Sequence, residues 1–409
     1  MSEEILITGA GVASALGVGK ADTLASLREG RSGIAPIRYL ETSLRDFPVG
    51  EVPLSNEEIA SRTGAPSSWP RTTLLSILSL KEALAQAGIS PEGETFSSAS
   101  LRDPVRANAP EKVSPSGKDM LLISGTTVGG MDLTEKQFPH YSLNHGCGAS
   151  TDLAALYLGC FADATTLSTA CSSAANAIVF GANLLRSGKY SRIVVGGSES
   201  LSNYHLNGFN SLMILDREPC RPFDATRAGL NLGEGAAYLV LETAESAEER
   251  GVKAMGRLSG FGNACDAFHQ TASSENGEGA YLAMTKALKM AALEPGAIDY
   301  VNAHGTGTPN NDASESAALR RIFGDDIPPV SSTKAVTGHT TSASGSIEAV
   351  ICLLAMQEGF IPAQQNWKTP DPACVVPFTD AAAKRRIRNV ISNAFGFGGN
   401  DTSLIFSCL

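Results

Sequence analysis

The sequence predicts an α/β protein built from layers of sheets and helices. Three observations support this prediction. Short β-branched runs alternate with helical patterns along all 409 residues, several of these runs end in glycine-rich turns, and the composition suits a large core. Apolar residues make up 43% of the chain and charged residues only 18%, which excludes a disordered protein. Glycine occurs 41 times, as expected where many strands turn tightly into helices.

The elements fall into two series. In the first, strands are predicted at 5–8, 121–124, 165–169, 192–196 and 237–242, and helices at 20–29, 71–87 and 172–187. In the second, strands are predicted at 257–261, 300–303, 329–332, 389–392 and 403–406, and helices at 278–292, 312–323 and 342–357. The charged segment 243–252 separates them, so we expect two halves, 1–249 and 250–409, with largely parallel sheets. The polar, Pro- and Ser-rich segment 90–118 is expected to be an inserted surface loop.

Charge and cysteine usage exclude several classes of protein. The chain has 32 basic and 42 acidic residues, a net charge of −10, which disfavours general attraction to nucleic acid or anionic membranes. Its eight cysteines form no C-x-x-C pair, so neither a zinc template nor a disulfide scaffold is indicated. No apolar run is long enough to span a membrane, and the acidic N-terminus is unlike a signal peptide. We therefore predict a cytoplasmic protein without a bound metal.

The first reactive candidate is Cys171, which follows a β-branched run and precedes a helix of small and apolar residues. A free cysteine is most often an inert core residue. At the start of a helix, however, free N–H groups and the positive end of the dipole favour a thiolate and can hold an oxyanion. The strand–Cys–helix pattern therefore makes a nucleophile about as probable as a structural cysteine.

Three further segments carry candidate groups. His304 ends a strand before the glycine-rich run GTGTP, although a buried histidine in a turn would give the same pattern. Lys334 and His339 surround another strand–helix turn, and Glu348 lies where its carboxylate could meet Lys334; most such pairs are structural. The segment NAFGFGG at 393–399 permits unusual backbone geometry between two strands, which alone is a weak signal.

Taken together, these segments resemble the elongating β-ketoacyl-[acyl-carrier-protein] synthases. STACSSAANAI, NAHGTGTPNND, STKAVTGH with Glu348, and NAFGFGG occur in the family's order and spacing, and ITGAGVASALG and PFDATRAGLNLGEGAAYLVLE extend the resemblance over nearly the whole chain. It implies the thiolase-like fold: two similar halves in α-β-α-β-α layers, usually dimeric. No resident cofactor is implied, since substrates arrive on the phosphopantetheine arm of an acyl carrier protein.

The resemblance also implies roles for individual residues. Cys171 matches the nucleophile, His304 and His339 match the two catalytic histidines, and Lys334 with Glu348 matches a charged pair of the site. The residues implied to bind substrate are Thr306 and Thr308, on the pantetheine arm, and Phe395, Phe397 and Gly398 of the glycine-rich loop 395–400. Phe397 matches a gatekeeper whose N–H joins that of Cys171 in an oxyanion hole.

Three departures from the family pattern favour a specialised pathway, such as polyketide or aryl-polyene synthesis, over ordinary fatty-acid synthesis. The loop ends in Gly-Asn-Asp where Gly-Thr-Asn is common, the stretch 130–171 is roughly ten residues short, and 90–118 looks inserted. The expected product is a 3-oxoacyl carrier-protein thioester made from an acyl group and malonyl thioester. A homodimer is expected, and a heterodimer with a related ketosynthase stays open. So does the alternative of a non-elongating, chain-length-factor-like subunit, although those characteristically lack the cysteine.

Overall fold

The computed structural model describes residues 4–91, 120–142, 145–380 and 385–409, so most of the predicted insertion at 90–118 lies outside the described residues. The strands are β1 (Ile5–Ser14), β2 (Gly17–Val18), β3 (Ile34–Ala35), β4 (Val49–Gly50), β5 (Leu121–Gly125), β6 (Asp163–Leu167), β7 (Arg192–Glu199), β8 (Gly235–Thr243), β9 (Gly256–Cys265), β10 (Tyr300–Asn302), β11 (Val330–Ser331), β12 (Asn389–Gly396) and β13 (Asn400–Ser407). The α-helices are α1 (Lys20–Glu29), α2 (Asn56–Thr63), α3 (Arg71–Gln86), α4 (Met131–Gln137), α5 (Ala149–Leu158), α6 (Ser173–Arg186), α7 (Asn203–Ser211), α8 (Ala244–Glu249), α9 (Glu278–Ala291), α10 (Pro309–Phe323), α11 (Lys334–Thr337) and α12 (Ser344–Glu358).

The sheet contains the same five-stranded arrangement twice. The first half has the order β6-β5-β7-β8-β1, and the second has the matching order β11-β10-β12-β13-β9. In each half the first three strands are parallel and the last two pair antiparallel. A short antiparallel contact between β1 and β9 joins the two arrangements. The expectation of two similar halves is confirmed by this duplicated order.

The expectation of largely parallel sheets is wrong, because two of the four pairings in each half are antiparallel. The hairpin of β12 and β13 shows the physical reason. Its connecting turn is only the three residues Phe397, Gly398 and Gly399, and a connection this short can join only antiparallel strands. The predicted loop at 395–400 is therefore a tight turn, with Gly398 and Gly399 both in the left-handed region (φ 83° and 76°).

Paired glycines in the two halves show how helices approach the sheet. A Cβ at Gly9 or Gly11 of β1 would lie 2.2 or 2.0 Å from a carbonyl oxygen of α3. A Cβ at Gly260 or Gly262 of β9 would lie 2.4 or 2.1 Å from a carbonyl oxygen of α9. Only glycine allows a helix backbone to pack this closely on a strand. The outer helices α3 and α9 are therefore seated in the same way on equivalent strands.

Two helices fill the space between the half-sheets. Helix α6 packs on β5 and β7, and α12 packs on α6 and touches both β8 of the first half and β12 of the second. Every residue of α12 from Ser344 to Met356 is buried, as expected of a helix enclosed on all sides. With α3 and α9 outside, the order is α-β-α-β-α. Across the described ranges, no helix is long and apolar enough to cross a membrane.

Candidate active site

Cys171 lies in a sharp turn between β6 and α6. The preceding residue, Ala170, has φ 53°, in the left-handed region that side chains other than glycine seldom adopt. The Ser173 hydroxyl holds this turn, because it accepts the N–H of Thr169 at 2.9 Å and donates to the Ala170 carbonyl at 2.6 Å. The structure therefore places Cys171 at the buried first turn of α6, as the sequence predicted, although α6 also has an exposed face that includes Phe180.

The protonation state of Cys171 differs from the expectation. Its side chain is buried, and burial raises the pKa of the thiol to about 11, outweighing the positive charge of Lys334 and hydrogen bonds from the N–H groups of Phe397 and Cys171 itself. The expected preference for a thiolate is therefore wrong for the resting site: at neutral pH the sulfur carries its proton. The same two N–H groups lie beside the sulfur, where they can donate to the carbonyl oxygen of a thioester formed on it.

His304 follows β10, and its loop is held by Glu315 of α10. The backbone N–H groups of His304 and Gly305 donate to the Glu315 carboxylate at 2.9 and 2.8 Å, and the Asn393 amide donates to it at 3.0 Å. We did not identify Glu315 from the sequence. The sequence did contain an indication of its role. Glu315 lies four residues before Leu319, on the buried face of α10, and a buried carboxylate needs hydrogen-bond partners.

The hydrogen bonds of His339 fix where its ring carries a proton. Nδ1 accepts the backbone N–H of Thr341 at 3.2 Å and lies 3.0 Å from the Ser344 hydroxyl. Because a neutral imidazole has one donor and one acceptor nitrogen, this leaves the proton on Nε2. The ring of His304 stands nearly perpendicular to it, at 84°, with 5.4 Å between centroids.

Both imidazoles are neutral at neutral pH. Burial and then the positive charge of Lys334 hold the pKa of His304 and of His339 well below the ordinary value. Lys334 is itself buried and donates through Nζ to Oε1 of Glu348. Burial raises the pKa of Glu348 to about 7 even beside this lysine, and within the described ranges its Oε2 atom is buried without a hydrogen-bond partner.

One cavity of about 340 Å³ brings most of the predicted residues together. Its walls include eight of them: Cys171, His304, Thr306, Thr308, His339, Phe395, Phe397 and Gly398. The Thr306 and Thr308 hydroxyls lie 2.8 Å apart, and the ring of Phe397 stacks on Phe209 with centroids 5.9 Å apart. Lys334 and Glu348 do not line the cavity, so their effect on it is electrostatic.

The site is assembled from both halves of the chain. Cys171 follows β6 and His339 precedes α12, so the two groups occupy similar places in the duplicated arrangement. Gly345 lets the first turns of α12 and α6 meet, since a Cβ there would lie 2.9 Å from the backbone nitrogen of Ala175. This fold and this site define a condensing enzyme of the thiolase-like class.

Comparison with known proteins places the chain within that class. Residues 2–247 match the N-terminal domain of β-ketoacyl synthases, and residues 255–368 match their C-terminal domain. The chain therefore belongs to the β-ketoacyl synthase family. The sequence-based resemblance is confirmed, and the chain is an enzyme of the β-ketoacyl-[acyl-carrier-protein] synthase type.

Individual relatives match over nearly their whole length. Nodulation protein E of Rhizobium leguminosarum bv. trifolii is 32% identical, with 99% of each chain covered. The 3-oxoacyl-[acyl-carrier-protein] synthase 2 of Synechocystis sp. is 31% identical over 99% of this chain and 98% of its own. Among solved structures, the ishigamide ketosynthase/chain length factor superposes with a TM-score of 0.86 at 28% identity, covering 100% of both chains. The layered fold expected from the sequence is confirmed.

Proposed function

We propose that Cys171 carries the growing acyl chain as a thioester and condenses it with malonyl-[acyl-carrier-protein] to give a 3-oxoacyl-[acyl-carrier-protein]. The observation that carries this proposal is the convergence of one cysteine and two neutral histidines in a single cavity, with 5.4 Å between the imidazole centroids. A cysteine nucleophile alone would also suit a hydrolase. The second imidazole, beside a buried lysine, favours a condensing enzyme over a hydrolase, because a condensing enzyme must also stabilise the enolate formed from the malonyl group.

The first step loads the enzyme. The Cys171 sulfur attacks the acyl thioester, a new S–C bond forms, and the carrier thiol leaves with the proton that Cys171 gives up. Because the pKa of this thiol is about 11 at rest, proton transfer must accompany the attack. The N–H groups of Cys171 and Phe397 hold the oxyanion of the tetrahedral intermediate, where one such donor contributes about 3 kcal/mol.

The second step uses the histidines. Loss of CO2 from the malonyl group leaves its electron pair in an enolate, and the Nε2–H of His339 can donate to the enolate oxygen. His304 lines the same cavity, and we assign its imidazole the second hydrogen bond to the enolate oxygen. The enolate carbon then attacks the Cys171 thioester. The S–C bond breaks, and the released sulfur takes up the one proton that the reaction consumes.

Substrates reach the site on a carrier protein rather than on a resident cofactor. Thr306 and Thr308 line the same cavity as the histidines, and their hydroxyls can hydrogen-bond the amides of a pantetheine arm. Phe397 stacks on Phe209 in the same cavity, and we assign it the gate for the acyl chain. The catalytic residues are thus Cys171, His304 and His339, supported by Lys334 and Glu348.

We further propose a specialised role, in polyketide or aryl-polyene-type synthesis, by a cytoplasmic dimer. The likeness to a ketosynthase/chain length factor supports assembly with a second ketosynthase-type chain, either a copy of this one or a relative. The edge strand β6 has exposed or half-exposed side chains that a partner could cover. None of the eight cysteines, all of which lie in the described residues, forms a disulfide, which fits a reducing compartment. Cys171 and both histidines favour the elongating subunit over a non-elongating one.

Mass spectrometry tests the reaction directly. The enzyme is incubated with an acyl carrier-protein thioester, Cys171 is examined for an added acyl group, and malonyl carrier protein is then supplied. CO2 release and a ketoacyl product two carbons longer are expected. Cys171→Ala should lose both, whereas Cys147→Ala, which alters a half-buried cysteine outside the described cavity, should retain them. Release of free acid without a longer product would refute the proposal in favour of a hydrolase.

A further inference from the structure

Asn400 links the glycine-rich turn to the nucleophile helix. It is the first residue of β13, directly after Gly399, and its side-chain oxygen accepts three hydrogen bonds. The donors are the Ser172 hydroxyl at 3.0 Å, the Asn176 amide at 2.7 Å and the Asn263 amide at 2.9 Å. Two of these donors belong to the start of α6, and the third belongs to β9. One oxygen therefore joins three segments that are far apart in the sequence.

The segments joined in this way carry both N–H groups that face the Cys171 sulfur. Ser172 is the next residue after Cys171, and Phe397 lies three residues before Asn400. The backbone of the turn lies directly on the cysteine turn, because a Cβ at Gly396 would fall 2.8 Å from the Thr169 carbonyl and 3.3 Å from the Cys171 nitrogen. The distance between the two N–H groups therefore depends on how firmly the turn is held to α6.

The surrounding polar groups are mutually satisfied. Asn176 Oδ1 accepts from the Thr402 hydroxyl at 2.8 Å and from the Asn263 amide at 3.0 Å, and the Asn176 amide also donates to the Thr169 hydroxyl at 2.9 Å. A network of this kind fixes one geometry only while every member is bonded. With an apolar side chain at position 400, the Ser172 hydroxyl would keep its 2.8 Å bond to the Thr169 carbonyl of the cysteine turn, but its direct link to position 400 would be lost.

We propose that Asn400 is a positioning residue for acyl transfer, which holds the Phe397 N–H against Cys171. This inference rests on the proposed function, since the oxyanion that the N–H would stabilise belongs to the Cys171 thioester. Asn400 acts through Ser172 and the turn and touches no reacting atom. Decarboxylation of malonyl thioester, which depends on His304 and His339, is independent of it.

Two substitutions separate this role from a general structural one. Asn400→Leu removes the acceptor but keeps the branching of the side chain, and Asn400→Asp keeps an oxygen where the three donors converge. We expect Asn400→Leu to slow acylation of Cys171 by about 10- to 100-fold relative to the wild type. Asn400→Asp should acylate at least about tenfold faster than Asn400→Leu. Malonyl decarboxylation, measured in a Cys171→Gln background, should stay within about twofold.

Alkylation provides a readout that does not require acyl chemistry. Without a well-placed Phe397 N–H the thiolate of Cys171 loses a hydrogen bond, so iodoacetamide should modify it about fivefold more slowly in Asn400→Leu than in the wild type. Ser407→Ala is the matched control, because it deletes a 2.7 Å side-chain hydrogen bond to Asn389 at the far end of the same hairpin. It should leave acylation and alkylation unchanged. Urea unfolding confirms that each variant is folded.

The outcomes are distinct. Unchanged acylation in Asn400→Leu, or equal losses of acylation and decarboxylation, would overturn the positioning role. So would a Ser407→Ala variant that is as impaired as Asn400→Leu. If the wild type takes no acyl group while alkylation of Cys171 is still slowed in Asn400→Leu, the proposed function fails and the positioning of the Phe397 N–H stands.

Discussion

Replacing Lys334 by Met should destabilise the protein in a way that depends on pH. The side chains of Lys334 and Glu348 are 1% and 3% exposed, and they pair with each other. Methionine keeps most of the aliphatic volume and removes the charge. The variant therefore leaves Glu348 in a buried site without its counter-ion, a change that commonly costs about 3–5 kcal/mol.

The size of the effect follows from the pKa of Glu348. Beside Lys334 this pKa is raised by burial from 4.5 to about 7. A carboxyl whose pKa is higher in the folded than in the unfolded protein stabilises the fold while it is protonated. This stabilisation is present in full below the pKa of the unfolded protein, and it is lost as the pH rises through the pKa of the folded protein. In the wild type this loss ends near pH 7, where Glu348 ionises and pairs with Lys334. In Lys334→Met the folded pKa is higher still, so the loss continues at about 1.4 kcal/mol per pH unit.

The free energy of unfolding of Lys334→Met should therefore be only slightly lower than that of the wild type at pH 6, and roughly 3 kcal/mol lower at pH 9. Urea unfolding at several pH values measures it, at one protein concentration, because association also stabilises the fold. The control is the double variant Lys334→Met/Glu348→Gln, which has no carboxyl at position 348 to titrate. The reasoning is refuted if Lys334→Met loses the same free energy of unfolding at pH 6 and pH 9, or if the double variant keeps the pH dependence.

The same substitution should move the pH profile of decarboxylation. Lys334 lowers the pKa of both His304 and His339, so its removal raises both values. Protonation of His339 at Nδ1 conflicts with the N–H that Thr341 donates there, and the productive ring orientation is lost. The acidic limb of the CO2 rate should shift to higher pH, and an unshifted limb would contradict the electrostatic role of Lys334.

Four further predictions follow from the site. Cys171→Ala should abolish acylation and condensation with little change in melting temperature, and Cys171→Gln should raise malonyl decarboxylation above that of Cys171→Ala; mass spectrometry and CO2 release measure these effects. His304→Ala and His339→Ala should each reduce CO2 release more than acylation of Cys171, and equal losses would mean that they chiefly activate the thiol. Because burial raises the pKa of Cys171 from 9.0 to about 11, iodoacetamide at neutral pH should modify it about 100-fold more slowly than a thiol with the unshifted pKa. The kcat/KM for polyene or aryl-primed thioesters should exceed that for saturated chains of similar length, and a preference for saturated chains would refute the specialised pathway.

Local patterns in the sequence were sufficient for most elements of the fold. The predicted helix at 20–29 has the bounds of α1, and each predicted strand overlaps an observed one. These predictions succeed because hydrophobic periodicity and glycine turns are properties of short segments. The short helices α2, α4, α5, α7, α8 and α11 were not predicted. Five of them have only four to nine residues, too few for a reliable period, whereas α5 has ten residues, as many as the predicted α1.

The sequence by itself determined the family and the residue types of the site, since the motifs around Cys171, His304 and His339 occur in order along the chain. Only the tertiary structure decided the charge states and the supporting contacts. The pKa of Cys171 is high because segments from both halves exclude water from it, and Asn400 reaches Ser172 across 228 positions of sequence. A local pattern specifies what one segment forms. Burial and long-range hydrogen bonds depend on which distant segments the fold brings together, and no pattern within one segment records that.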